Sequence, residues 1–284
     1  MINKTIVLLL ISLFYSNLAF SQLYDGRNQD QTSLSQLLSQ VNPGTILLLG
    51  ENHGIASHRD QHVEILNALR AQGLKVSVGL EFVNYTDQNE LNLYRKGQID
   101  EAEFLSSIKW GGISFDYYRS QLNFPDLSQG EQSLGLNLPR AVSSKISKLG
   151  LTGLSEDDLA LMPPQFALGR DSYKARFMEA AGAHCKVPDN CFAAQSAWDD
   201  TMAWQATEFI RHNPDQVLVV VVGEFHVQYG GGTPNRIRSR LPTAHIVSLS
   251  QIWAEGLSEE EIRQELQVSD TEGPRADFIW VSQP

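Results

Sequence analysis

Glutamate and histidine recur in this chain in a pattern that suits either metal binding or proton transfer. Gly50-Glu51-Asn52-His53 and Gly223-Glu224-Phe225-His226 share a Gly-Glu-x-His core, and Gly79-Leu80-Glu81 adds another carboxylate. Carboxylate oxygen and imidazole nitrogen together suit zinc, manganese or iron. Without a metal, the same groups serve as general acid and base on a bound water. Glu51 and His53 stand two apart, so in extended chain they point to the same side. Gly223 lets backbone approach closely before His226. A single Glu or His at a strand exit is an ordinary polar residue. Two Gly-Glu-x-His runs plus Glu81, each preceded by an apolar run, mark out Glu51, His53, Glu81 and His226 as metal ligands or catalytic groups.

The elements that must position them are apolar strands. Thr45 to Leu49, Val76 to Leu80 and Val217 to Val222 read as strands buried on both faces, as in a parallel sheet covered by helices. The polar residues then fall just past the carboxyl ends, where open α/β sheets bind their ligands. Helical periods follow. Leu34, Leu37 and Leu38 fit one short helix in a polar stretch, and 57–72 fits a helix with Ser57 as N-cap and Gly73 as stop. Leu134 to Leu138 is a further strand, with Asn137 and Arg140 near its end and Pro139 opening the next helix. Strands at 244–249 and 277–281, with a helix at 258–267 between them, close the chain. The expected fold is α/β: a mostly parallel central sheet flanked by helices, with a helical cap inserted after the second strand. Residues 85–130 and 151–212 are the mainly helical regions. The loop Tyr229-Gly230-Gly231-Gly232-Thr233-Pro234 reads as mobile, either a lid or a long turn.

Other residues could contribute. His58 and His62 fall in the first turns of the helix leaving the site, either as helix-start histidines or as supporting ligands. Trp110 to Arg119 is dense in aromatics around Gly111-Gly112 and carries Tyr117, Tyr118 and Arg119. Such a segment is either the packing core of a small cap or an aromatic wall with a cation, suited to a flat acidic ligand. Cys185 and Cys191 enclose a Pro-Asp-Asn turn and read as a local disulfide; a metal site with His184 is the alternative.

Lys4, the apolar run Ile6 to Tyr15 and Ala19-Phe20-Ser21 form an export leader over 1–21, leaving 22–284 as a single domain. The expected location is periplasmic or secreted. No cysteine follows the apolar run, so no lipid anchor is expected. The 284-residue chain carries a formal charge of −11 and no basic stripe, which argues against nucleic acid. Neither a Gly-x-Ser-x-Gly elbow nor a phosphate-binding loop nor His-Glu-x-x-His occurs, so serine hydrolase and nucleotidase chemistry have no support.

Leu49-Gly50-Glu51-Asn52-His53, Gly79-Leu80-Glu81-Phe82 with Gln88, Tyr117-Tyr118-Arg119, Asn137-Leu138-Pro139-Arg140 and Gly223-Glu224-Phe225-His226 occur in an order that resembles the ChaN family over most of 40–250. That family comprises bacterial envelope proteins linked to haem binding and iron uptake, grouped with the Tiki metalloproteases, TraB proteins and erythromycin esterases. The resemblance implies an α/β core with a helical cap and an exported protein. The superfamily's signature lands on Glu51, His53, Glu81 and His226. ChaN-like proteins are often lipoproteins, a feature not expected here because the lipid-bearing cysteine is lacking, and the match alone does not imply catalysis. Under the resemblance, haem is the cofactor: Tyr117 and Tyr118 would line the porphyrin, Arg119 would meet a propionate, and His58 and His62 would assist. A homodimer and an outer-membrane uptake system are the implied partners. The alternative is a metal-dependent hydrolase, peptidase- or esterase-like, using Mn, Zn or Fe at the Glu/His set. A surface protein without a working site is the remaining option.

Overall fold

The computed structural model describes residues 21–283, so the expected leader lies outside the described residues except for Ser21. Seven strands form one sheet: β1 (Ser21–Asp25), β2 (Thr45–Glu51), β3 (Lys75–Asn84), β4 (Ser133–Asn137), β5 (Gln216–Gly223), β6 (His245–Trp253) and β7 (Phe278–Ser282). Their order is β1-β7-β6-β2-β5-β3-β4. Only the β1–β7 pair is antiparallel; the other five are parallel. The expected mostly parallel sheet is therefore present. β1 was not anticipated, because Leu23 is the single buried residue of a short polar run that pairs with the far end of the chain.

Every residue of β2 and of β5 is buried. Alternate side chains go to opposite faces. Leu47, Leu49, Val219 and Val221 pack on one side, while Ile46, Leu48, Leu218, Val220 and Val222 pack on the other. Helix α1 (Leu34–Ser39) precedes β2, and α2 (Ala56–Ala71) joins β2 to β3. After β3 come α3 (Gln88–Arg95), α4 (Glu101–Ser107) and α5 (Phe115–Asn123), the helical insertion expected there. After β4 come α6 (Arg140–Leu149), α7 (Glu156–Ala160), α8 (Asp171–Ala181) and the long α9 (Pro188–His212). Helices α10 (Thr233–Arg240) and α11 (Glu259–Leu266) complete the chain. Met202, Ala203, Ala206 and Phe209 of α9 cover the face opposite Leu47 and Leu49.

From β2 the chain runs outward to β3 and β4, returns through β5, and crosses to β6 on the other side of β2. The strand order thus reverses beside the carboxyl ends of β2 and β5, where a doubly wound sheet opens a crevice. Two local expectations are corrected. Ser57 lies inside α2; the N-cap is Ile55, with no side-chain cap bond. The loop after His226 is packed rather than open: a Cβ on Gly232 would stand 2.7 Å from the His226 carbonyl oxygen and against the Asp199 carboxylate. The glycines there permit close packing, which their number in the sequence made look like mobility. Cys185 and Cys191 form a disulfide, so the alternative metal site with His184 is not built.

Candidate functional site

Glu51 ends β2 with its side chain fully buried. A buried carboxylate needs several donors to stay charged. It accepts the Tyr117 hydroxyl at 2.9 Å on Oε2 and the Tyr118 hydroxyl on Oε1. His53 Nδ1 lies 3.0 Å from Oε1. Facing a carboxylate, Nδ1 carries the proton, which leaves Nε2 of the neutral ring a free lone pair. The His53 side chain is 35% exposed. Burial pulls its pKa down, but the Glu51 hydrogen bond and the charges of Glu81 and Glu51 outweigh that and raise it.

A second carboxylate–imidazole pair stands beside the first. His226 Nδ1 is 2.8 Å from Asp199 Oδ1 of α9, and its Nε2 is 3.6 Å from Glu81 Oε1 in the last part of β3, which runs on to Asn84. Asp199 also accepts from Tyr173 and Thr233, each at 2.9 Å. Burial works against a charged His226, yet Asp199 and Glu81 overcome it and lift the pKa to about 10. Burial likewise opposes charge on Glu81, but His226, His53 and the Gly223 N–H hold its pKa down at about 2. His226 is therefore an imidazolium fixed between two carboxylates at neutral pH.

Gly223 lets the two pairs meet. Its N–H donates to Glu81 Oε2 at 2.7 Å. A Cβ built there would lie 2.9 Å from His53 Nε2 and 3.5 Å from Glu81 Oε2. Glu51, His53, Glu81, His226 and Asp199 thus form an alternating row of acids and imidazoles along the carboxyl rim.

The row brings Glu51, His53, Glu81 and His226 together, as the sequence led us to expect, but not as ligands around one ion. Among the described residues no group of three or more His, Cys, Asp or Glu side chains is arranged to hold a metal. The carboxylates are already engaged, Glu51 by two tyrosines and His53, Glu81 by Gly223 and His226.

The expected cofactor residues are placed differently. Tyr117 and Tyr118 are buried and turned onto Glu51, which together with burial pushes both hydroxyl pKa values far up. They present no ring face to a ligand. Arg119 pairs with Glu101 and Asp116 on the outside of the cap. His58 is fully buried; its Nδ1 accepts from the Asn52 N–H at 3.1 Å and so ties down the loop that carries His53. Burial, then His62, lowers the His58 pKa to about 4. His62 is also fully buried, with Nε2 2.6 Å from Gln251 Oε1 and Nδ1 3.6 Å from Glu51 Oε2; burial lowers its pKa. Both histidines brace the rim from behind. Glu224 turns away to Ser250 and Arg275.

Asp199 and Tyr173 were missed. The available signal was Gln195 and Asp199, four apart on a helix otherwise rich in apolar residues; both are buried beside His226.

A cleft of about 660 Å³ opens at the same rim, lined by Glu81, Phe82, Lys109, Trp110, Arg140 and Trp198 among others. Phe82 meets His53 edge-on at 4.7 Å, and Trp198 lies 6.4 Å from His226 between ring centroids. Lys109 and Arg140 are exposed and form no ion pair among the described residues. Aromatic walls with two unpaired cations, in an acidic chain, suit a flat ligand that bears acidic groups.

A family model described as haem-binding uptake, Tiki superfamily, ChaN matches residues 37–237. The structure is similar to that of ChaN of Campylobacter jejuni with cofacially bound haem, at 21% identity and a TM-score of 0.67, covering 94% of this chain and 98% of that one. It is also similar to an erythromycin esterase mutant in its open conformation, at 12% identity and a TM-score of 0.51, covering 92% and 97%. Both likenesses are of fold. No curated protein sequence matches this chain.

Proposed function

The chain belongs to the ChaN group of haem-binding uptake proteins in the Tiki superfamily, and on that premise we propose that it is an exported haem-binding protein serving haem or iron acquisition. The observation that carries this reading is the rim cleft, where Phe82, Trp110 and Trp198 face a space also reached by Lys109 and Arg140. Haem asks for that donor set: apolar surface for the porphyrin and cations for two propionates. Phe82, Trp110 and Trp198 would hold the ring and keep water from it, while Lys109 and Arg140 would orient it through its carboxylates. Bound there, haem supplies an iron centre and a transportable iron source. Export is supported by the leader-like pattern of Lys4, Ile6 to Tyr15 and Ala19-Phe20-Ser21. A homodimer that closes over an open-sided cleft, and delivery to an outer-membrane uptake system, complete the proposal. Haemin titration followed at the Soret band tests it: a saturable, shifted band supports the reading, and a spectrum identical to free haemin removes it.

A second reading is hydrolysis of an ester or peptide at the rim, favoured by one observation. His53 keeps a free Nε2 while His226 is held as a cation beside Glu81. That supplies a general base at the rim, with the charged His226–Glu81 pair beside it to tune its proton affinity. Turnover of model esters that is lost in His53→Ala supports it; equal rates in both proteins remove it.

A further inference from the structure

We propose that a second cleft, lined by α8 and the 269–272 loop, binds a free α-amino acid, with the ligand carboxylate on Arg176 and the ligand ammonium on Glu179. This goes beyond the haem reading and does not depend on it.

The cleft holds about 420 Å³ and shares no lining residue with the one between Phe82 and Trp198. Arg176 lines it, half-buried. Its guanidinium uses two of five N–H groups, and both go to uncharged acceptors. Nη1 donates to Gln228 Oε1 and Nη2 to the Gln228 carbonyl, each at 3.0 Å. No carboxylate pairs with it among the described residues. Its Nε is buried without a partner. So is that of Arg170, the residue that pairs with Glu272 on the same cleft. Burial opposes the charge on Arg176 and pulls its pKa down. A ligand carboxylate supplies the missing counter-charge and accepts the N–H groups left over.

The surroundings hold this guanidinium in place. The Tyr229, Tyr173 and Phe225 rings lie 4.8, 5.5 and 5.8 Å from it. Gly231 makes room, since a Cβ there would collide with Nη2. Tyr229 itself sits at φ 55°, a left-handed conformation that is uncommon outside glycine. Both its peptide groups are tied: its N–H donates to the Arg275 carbonyl at 2.6 Å, and its carbonyl accepts from Arg170 at 2.7 Å. Strain that is fixed from both sides clusters at ligand clamps. Here it keeps the Tyr229 ring beside Arg176 on the cleft wall.

Glu179 decides the class of ligand. It stands three residues after Arg176 on α8, so the two are neighbours on the helix surface. They form no ion pair, because Arg176 is turned to Gln228 and Glu179 is exposed at the cleft. A bare carboxylate or phosphate would meet repulsion from Glu179. An ammonium and a carboxylate on one carbon answer both charges at once, whereas a peptide carries them at opposite ends. The hydroxyls of Ser172, Ser269 and Thr271 line the same space and can both donate and accept.

Isothermal titration of the full chain tests this, with L-phenylalanine and L-alanine as probes and N-acetyl-L-phenylalanine and L-phenylalaninamide as controls that each lack one charge. Wild type should bind at least one of the two amino acids with a Kd of about 1 mM or tighter. Both controls should bind about tenfold or more weakly than L-phenylalanine, as the loss of one charged hydrogen bond implies. Glu179→Gln, at an exposed position, should lower affinity for L-phenylalanine to that of the N-acetyl control and leave the control itself no weaker. Arg176→Gln should abolish binding; if it does not fold, L-phenylalaninamide on wild type tests the same contact. Absence of saturable binding by both amino acids overturns the assignment. So do equal affinity for N-acetyl-L-phenylalanine and an unchanged affinity in Glu179→Gln. Each of these failures leaves haem binding standing, and a failed haemin titration leaves this site standing.

Discussion

His53, in the turn after β2, and Glu81, in β3, flank the same missing side chain: a Cβ on Gly223 would lie 2.9 Å from His53 Nε2 and 3.5 Å from Glu81 Oε2. The close approach joins two carboxylate–imidazole pairs into one row. It predicts that Gly223→Ala disturbs the site more than the fold. His53 is partly exposed and can swing aside, so unfolding in urea should show a loss of about 1 kcal/mol. The haemin spectrum should change, because the displaced His53 packs on Phe82, which lines the cleft. A large stability loss with an unchanged spectrum would mean that the crowding is felt elsewhere.

The charges of Glu81 and His226 set a pH window for stability. The Glu81 pKa is depressed from 4.5 to about 2, so its contribution is present above about pH 4.5 and lost as pH falls through about 2. The His226 pKa is raised from 6.5 to about 10, so its contribution is full below about pH 6.5 and lost as pH rises through about 10. Stability from this pair therefore peaks between about pH 4.5 and 6.5 and declines on both sides. Urea midpoints measured across pH check this. Asp199→Asn should flatten the alkaline decline, since the nearer of the two carboxylates raising His226 is then gone; a decline of unaltered steepness would assign it to other groups.

The two tyrosines on Glu51 act as one unit with it. Tyr118→Phe removes a donor from a fully buried carboxylate and should cost about 1–3 kcal/mol. Combined with Glu51→Gln, the two losses should not add, because the partners are in direct contact. A double-mutant cycle by urea unfolding measures the coupling, and strict additivity would mean the hydroxyl and carboxylate do not interact in solution.

Cations at the cleft and on the cap should separate cleanly. Lys109→Gln and Arg140→Gln should each weaken haemin binding by about 1 kcal/mol, roughly fivefold, with little change in thermal stability. Arg119→Gln should leave affinity unchanged, because Glu101 and Asp116 already hold that side chain away. Fluorescence titration of the three variants checks the contrast; a loss confined to Arg119→Gln would move the ligand to the outer face of the cap.

Much of this architecture was legible from the chain alone. The aliphatic runs before Glu51 and Glu224, and the shorter one interrupted by Ser77 and Gly79 before Glu81, read as strands covered on both faces, which placed these residues near the carboxyl rim. The row Glu51, His53, Glu81, His226 followed from it. The roles of Tyr117 and Tyr118 did not, because the aromatic run shows that α5 has something to bury but not that its hydroxyls turn onto a carboxylate far away in sequence. Asp199 was hidden for a similar reason. Its partner arrives from β5 through tertiary packing, and local periodicity carries no record of that. β1 escaped notice because its pairing with β7 spans nearly the whole chain.

Haemin titration of the purified full chain, followed at the Soret band with tryptophan quenching recorded in parallel, tests the central claim most directly. The account predicts one saturable, shifted spectrum at micromolar protein, with quenching that saturates at the same ratio, as Trp110 and Trp198 beside the ligand require. A spectrum that follows free haemin at every ratio, with quenching that rises linearly and never saturates, would contradict it.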